Sequence, residues 1–392
     1  MKKAKVSVVK AEDYESSKLS EALEKGLCLL GGLETLIKPR SRIFVKINHL
    51  SPLSPPERGI CTHPALTREV LRLLKEAGHR LVVGDDIECS KKDCFRITGY
   101  RKLCDELEIP LLNLRERGFK EVRCAGEMLE KTYISPLVLE SDYVVNLSKL
   151  KTHSFTIFTG AVKNMFGVIP LGLRLRYHRQ FIKNDEFSQM LVDIYKCVPP
   201  RLNIMDAVEA MEGEGPSGGD VRQVGLIIAG TDGVAVDAVA ARIIGLDPVS
   251  VFTTYHAHRR GVGTGKIEEI DVVGEELKSV EVRTFKHSAV AYSLFRRRIP
   301  SFLYAYLQEQ FTLTPEVIRK KCTLCRDCVH VCPGEAAVLA GDSVWINKVK
   351  CIHCMCCHEV CRFRAIKLKQ MPLGRILRQI ISLSRGLRTL IS

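Results

Sequence analysis

Two cysteine runs, CTLCRDCVHVCP and CIHCMCCHEVC, constrain the last third of this 392-residue chain more than any other feature. Cys322, Cys325, Cys328 and Cys332 follow a C-x2-C-x2-C-x3-C pattern, and Cys351, Cys354, Cys357 and Cys361 repeat it 29 residues later. The flanks repeat too, with EAAVL after the first run and RAIKL after the second. Three thiolates spaced by two residues can wrap three corners of a polynuclear centre, while the fourth points away and reaches another centre. The pattern therefore predicts two sites that exchange their fourth ligand. One takes Cys322, Cys325, Cys328 and Cys361, and the other Cys332, Cys351, Cys354 and Cys357. A pair of zinc sites needs neither the x3 spacing nor the proline after it. Cys356 is the spare, because only Cys357 keeps both spacings; it is expected to pack beside a centre or face solvent.

Residues 321–368 resemble the two-cluster bacterial ferredoxins. The resemblance implies a small α+β domain with two 4Fe–4S clusters that pass single electrons. Arg362 stands where that family usually has Pro, a departure that removes no ligand.

Composition places the chain in a class. Of sixteen cysteines, nine lie between Cys322 and Cys361, and the other seven are scattered singly. No long apolar leader follows MKKAKVSVVK, and no run of about 18 apolar residues appears, so the expected location is cytoplasmic and reducing. The scattered cysteines read as small buried hydrophobes. The formal charge is +14. Residues 281–392 hold 19 Lys and Arg against 7 Asp and Glu, whereas residues 1–280 hold 40 against 38. A nearly neutral body with a basic end disfavours nucleic acid as partner. It suits an acidic redox protein of ferredoxin or flavodoxin type, or an anionic membrane surface.

Up to about residue 280 the chain alternates β-rich runs (5–9, 42–48, 80–85, 143–150, 202–208, 224–232) with helical patterns. THPALTREVLRLLKEAGH reads as a helix capped by Thr62, and TDGVAVDAVAARIIGL as one ending at Gly245. The expected class is α/β, a mostly parallel sheet with flanking helices, plus the small α+β ferredoxin-like two-cluster domain. The units are 1–280, a basic aromatic connector at 281–320 with two short helices around Pro300, the cysteine module at 321–368 and a tail at 369–392. VVNLSKLKTHSFTIFTGAVKNMFGVIP, MDAVEAMEGEGPSGG and TDGVAVDAVAARIIGLDP resemble domain-of-unknown-function family 362, over most of 40–265. That resemblance implies an architecture and no reaction.

Candidate site residues come from position. Between Tyr143 and Asn184 there is no acid, yet Lys149, Lys151, His153, Lys163, Arg174, Arg176, His178, Arg179 and Lys183 occur. KLKTH ends an apolar strand, where α/β domains place their sites. TGAVKNMFG opens a helix on Thr159 and Gly160, and its amides with two or three lysines predict a pocket for a small anionic substrate. The simpler alternative is a solvated basic face. Glu212 and Glu214, in EGEGPSGG, are expected to form a lid or wall carrying an acid–base group; an ordinary loop is the alternative. Lys46, Asn48, Asp85 and Asp86 also end strands. Asp232 and Asp237 read as helix caps first and metal ligands second. GVGTGK lacks the Ser or Thr of a phosphate-binding loop. The tail LGRILRQIISLSRGLRTLI pairs an apolar face with arginines, which suits either the protein body or peripheral membrane contact through 369–392. The reading is an iron–sulfur redox protein, possible as a ferredoxin-dependent reductase; the alternative is a non-catalytic electron carrier or scaffold subunit.

Overall fold

The computed structural model describes residues 3–87, 93–290, 312–373 and 376. The connector helices around Pro300 and most of the 373–391 tail helix lie outside them. The first 280 residues carry strands β1 (Ala4–Lys10), β2 (Arg42–Ile47), β3 (Arg80–Asp85), β4 (Leu111–Asn113), β5 (Lys120–Arg123), β6 (Lys131–Ile134), β7 (Tyr143–His153), β8 (Ile157–Thr159), β9 (Leu202–Glu212), β10 (Asp220–Gly230) and β11 (Ile270–Gly274). Nine of them form one sheet, eight in the order β11-β1-β10-β9-β7-β2-β3-β4 and β8 folded back on β7, while β5–β6 is a separate hairpin. The β9–β7–β2–β3–β4 pairs and β1–β11 are parallel, and β10 runs antiparallel to both its neighbours. This is the expected α/β class with a mostly parallel sheet.

The two-residue period of a strand fills two cores at once. On β2, Ile43, Val45 and Ile47 pack with the helices Ser16–Leu29 and Pro64–Glu76 on one face. Phe44 packs on the other, with Val144, Phe187 and Leu191. The helix Pro64–Glu76 begins one residue later than expected. Its cap is His63, whose Nδ1 accepts from Ala65 N at 3.2 Å. Thr62 is occupied elsewhere, donating to Leu147 O at 2.8 Å and so tying the β2 exit to β7. Of the scattered cysteines, Cys61 and Cys104 are buried as expected, but Cys124 and Cys197 touch, Sγ to Sγ 2.6 Å.

The C-terminal part is a duplicated unit. Strands β12 (Leu313–Val317), β13 (Ala337–Ala340), β14 (Ser343–Ile346) and β15 (Ile366–Gln370) pair as β12–β15 and β13–β14, both antiparallel. Short helices Asp327–His330 and Cys356–Val360 lie between them. A shift of 29 residues carries β13 onto β15 and β12 onto the neighbourhood of β14, so it exchanges the two strand pairs. The same shift carries the left-handed residues Leu324, Arg326 and Glu335 onto His353, Met355 and Arg364. It also carries the Ala336 N–H to Cys332 Sγ contact (3.2 Å) onto Ala365 N–H to Cys361 Sγ (3.3 Å). Non-glycine residues rarely take positive φ, so its recurrence at matched positions means both cysteine loops are wound the same way.

Candidate site between the sheet and the cysteine module

The module sits against the carboxyl ends of the parallel strands, held by the turn between β9 and β10. Arg364 donates to Gly219 O and lies 3.3 Å from Asp220. Ser217 Oγ donates to His358 O at 3.2 Å. His358 is buried with Nε2 3.0 Å from Glu214 O and Nδ1 2.9 Å from Ile366 O. Gly218 has no room for a side chain, since a Cβ there would meet His358 Cε1 at 2.4 Å. EGEGPSGG is thus the docking loop for the module, and through Pro216 it also walls the smaller space described below. Its two glutamates hold backbone. Glu212 accepts from Lys286 N at 3.1 Å, and Glu214 from Ala289 N at 2.9 Å and Ser154 Oγ at 3.1 Å. Neither borders the cavities described next.

Docking leaves a partly open cavity of about 670 Å³ between sheet and module. One wall carries His49, Lys163, Arg174 and His178; the other carries Cys325, Cys356 and Glu359 of the module. A smaller space of about 60 Å³ behind it holds Lys46, Lys151, His153 and Thr159. Leu171, Arg174, Leu175 and His178 face the cavity together because residues three and four apart share one side of the helix Leu171–Gln180. Arg176 and Arg179, on its other side, are exposed, and exposed Lys183 pairs with Glu186 at 3.0 Å. The acid-free basic stretch therefore divides: part is site and part is solvated surface.

Each lysine of the stretch meets a different fate. Lys149 is bound to Asp206 at 2.8 Å and to Tyr14 at 2.9 Å, away from the cavity. Lys46 pairs with Asp85 at 2.9 Å, under Gly167, where a Cβ would meet Asp85 Oδ1 at 2.3 Å. Lys151 donates only to neutral oxygens, Asn48 Oδ1 at 2.8 Å and Ile60 O at 2.6 Å. Burial without a carboxylate lowers its ammonium to about 7. Lys163 lies 5.9 Å from the Phe166 ring centroid and is lowered by burial. Arg174 is anchored by Asp86 at 2.6 Å, which also holds Arg115 at 3.0 Å.

The helix entrance expected to cradle an anion is already filled. Asp237, from the helix Gly233–Ile243, accepts from Ala161 N at 2.5 Å and Val162 N at 3.0 Å. Burial raises its carboxyl to about 7. Asp237 therefore caps the neighbouring helix Ala161–Asn164, while Asp232 caps its own, accepting from Val234 N at 2.9 Å. Beside this entrance runs a buried chain of amides. Asn48 donates to Asn164 at 2.9 Å, Asn164 to Asn146 at 2.7 Å, and Asn146 to Asn203 at 2.9 Å.

Three buried imidazoles surround the cavity. Burial pushes His49 to about 3, His153 to about 4 and His178 to about 3, so all are neutral at pH 7. His153 Nδ1 accepts from Phe155 N at 3.0 Å, which puts its proton on Nε2, 3.2 Å from Glu359 Oε1. That approach is too oblique for an aligned hydrogen bond, and both atoms lack one. Burial alone would raise Glu359, but His153 beside it, and after it Lys163 and His178, hold it well below the carboxylate range. His49, Asn146, Asn164, Asn203 and Glu359 join the site without a sequence motif to announce them.

The thiols of the two runs lie close together. Burial raises Cys328 to about 12, and its thiol neighbours are Cys361, Cys325 and Cys322. Cys357 is raised by burial too, and its thiol neighbours are Cys354, Cys351, Cys332 and Cys328. Cys356 hydrogen-bonds Cys354 and lines the large cavity. Among the described residues no three His, Cys, Asp or Glu side chains converge as ligands of a single ion. No helix among them is long and apolar enough to cross a membrane.

Comparison with known proteins gives the chain relatives. Over 259 residues it is 33% identical to a thylakoid-associated protein of Synechocystis, covering 66% of this chain and 79% of that protein. Over 110 residues it is 27% identical to subunit IorA of the indolepyruvate oxidoreductase of Archaeoglobus fulgidus, 28% of this chain and only 18% of that subunit. Among solved structures, the lactate racemase apoprotein of Thermoanaerobacterium thermosaccharolyticum superposes with TM-score 0.40 at 14% identity, over 57% of this chain and 54% of that one. A Thermotoga maritima protein gives 0.38 at 16%, over 57% of each chain. The model of a domain of unknown function, DUF362, matches residues 43–242, and the chain belongs to that family.

Proposed function

We propose that the chain is an iron–sulfur redox protein in which the cysteine module exchanges electrons with a small anionic ligand held against the α/β domain. The observation that carries this is the shared cavity of about 670 Å³, with module thiols on one wall and Lys163, Arg174 and His178 on the other. The thiol neighbours agree with it in part: Cys328 has Cys361, Cys325 and Cys322 beside it, and Cys357 has Cys354, Cys351 and Cys332 but also Cys328 of the other group. Eight thiols in two such groups fit two 4Fe–4S clusters, held by Cys322, Cys325, Cys328 and Cys361, and by Cys332, Cys351, Cys354 and Cys357. Bound there, the clusters supply single-electron transfer. The chain's own residues do the rest. Lys163 and Lys151 attract the ligand's charge, Arg174 is fixed by Asp86, and neutral His153 holds a proton on Nε2 beside Glu359 at the smaller space.

The distant similarity to an oxidoreductase subunit agrees with a redox role. The relative's thylakoid association agrees with peripheral membrane contact through 369–392, and an acidic ferredoxin or flavodoxin suits the basic end as partner. Anaerobic protein is expected to contain about eight irons and matching sulfide, with low-temperature EPR signals on reduction. Stoichiometric zinc in place of iron overturns the reading. Full clusters with no ligand-dependent reoxidation leave the electron-carrier alternative.

A further inference from the structure

The space between sheet and module has two compartments, of about 670 Å³ and about 60 Å³. His49, Lys163, Arg174 and Glu359 border both, so one molecule can occupy them together. Lys46 is paired with Asp85, and Lys151 and Lys163 border the smaller space together with Glu359. Several buried polar atoms of residues that line it have no partner: Thr159 Oγ1, His49 Nδ1 and Arg174 Nε. A buried donor without a partner is costly, and a ligand oxygen removes that cost.

Size and lining identify the ligand's two ends. About 60 Å³ suits a small polar end group, such as a planar carboxylate, and not the ligand's body. The outer compartment is walled by Leu53, Ile87, Leu171 and Leu175 of the α/β domain and by Val331 and Val360 of the module. Its volume lies in the range that encloses a small organic molecule.

We propose that the ligand is a monocarboxylate with an apolar body, of the class of medium-chain or arylalkanoic acids. Its carboxylate lies between Lys151 and Lys163, and its body lies against the leucines and valines of the outer compartment, touching the module. This rests on the cavity being the ligand site, as in the proposed function, but not on the clusters.

The test is calorimetric titration of the full-length, anaerobically purified protein. The probes are acetate, butyrate, hexanoate and 3-phenylpropionate, with hexanol and inorganic phosphate as controls. Each added methylene is expected to tighten binding about fourfold. Hexanol should bind at least about tenfold more weakly than hexanoate, and phosphate should not compete. Lys163→Gln should weaken every carboxylate at least about tenfold and leave hexanol unchanged. Leu175→Asn should flatten the chain-length series while leaving acetate alone. Thr159→Val, nearly isosteric, should weaken the carboxylates by a smaller factor and serves if Lys163→Gln misfolds. Phosphate binding as tightly as hexanoate, or affinity indifferent to chain length, overturns the proposal. Iron content measured on the same sample separates the two ideas. Iron-free protein that binds hexanoate sinks the redox reading alone, and fully loaded protein without carboxylate preference sinks this one alone.

Discussion

Lys151 shows what a single buried ammonium does to the whole stability curve. Its folded-state value is about 7 against the ordinary 10.5, so between those limits the unfolded chain binds more protons. Stability from this group is fully present above the unfolded value and is lost as pH falls toward 7. Replacing it (Lys151→Met) removes that pH dependence and leaves Asn48 Oδ1 and Ile60 O without a donor, at about 1–3 kcal/mol. Wild type should therefore gain on the variant as pH rises from about 7 to 10, by at most about 1.4 kcal/mol per unit. Denaturant unfolding at several pH values reads this, and a constant gap refutes it. Lys151, His153 and Lys163 were legible in the sequence as basic groups at the end of a buried strand. Lys149, Glu212 and Glu214 looked equivalent but are held by Asp206, Lys286, Ser154 and Ala289, partners from distant segments that no local pattern reveals. Glu359 was hidden among cysteines; its role appears only once the module meets His153 and Lys163.

Elements behave as units whose ends must be satisfied. The short helix Ala161–Asn164 is capped from outside by Asp237, so Asp237→Asn, which turns one acceptor into a donor, should cost about 1–3 kcal/mol in a denaturant titration. No loss would show that those amides find other partners. Within the second cysteine loop, Cys356→Ser should keep the full iron content, whereas Cys357→Ser should lose the centre shared with Cys332, Cys351 and Cys354. Equal losses in both variants contradict the assignment. The strands of the sheet were readable to within a few residues because β-rich runs alternate with helical patterns. The short strands β4, β8 and β11 were not, since three to five residues carry too little periodicity. The helix cap moved from Thr62 to His63 because the threonine hydroxyl has a better bond to β7.

At the scale of the molecule, a nearly neutral α/β body carries a basic C-terminal part. If the proposed exchange of electrons with an acidic partner holds, it should slow steeply as salt rises through about 0.1 M, where the Debye length is about 10 Å. Stopped-flow reduction across salt concentrations checks this, and a flat profile removes the electrostatic argument. The repeat that organises the module was plain in the cysteine spacing; its attachment to the β9–β10 turn was not, because that attachment runs through backbone carbonyls of Glu214 and Gly219. Gly218→Ala should loosen this junction, seen as faster hydrogen exchange over 356–366 with the strands of the sheet unchanged.

The junction has a thermodynamic consequence. The module is at once one wall of the cavity and a body clasped by a turn of the sheet, so ligand affinity and clasp strength are linked variables. Linkage is reciprocal: a ligand held tenfold more tightly with the clasp closed makes the clasp tenfold harder to open. Occupancy of the cavity can therefore be read far from it, in how firmly a glycine turn grips one histidine.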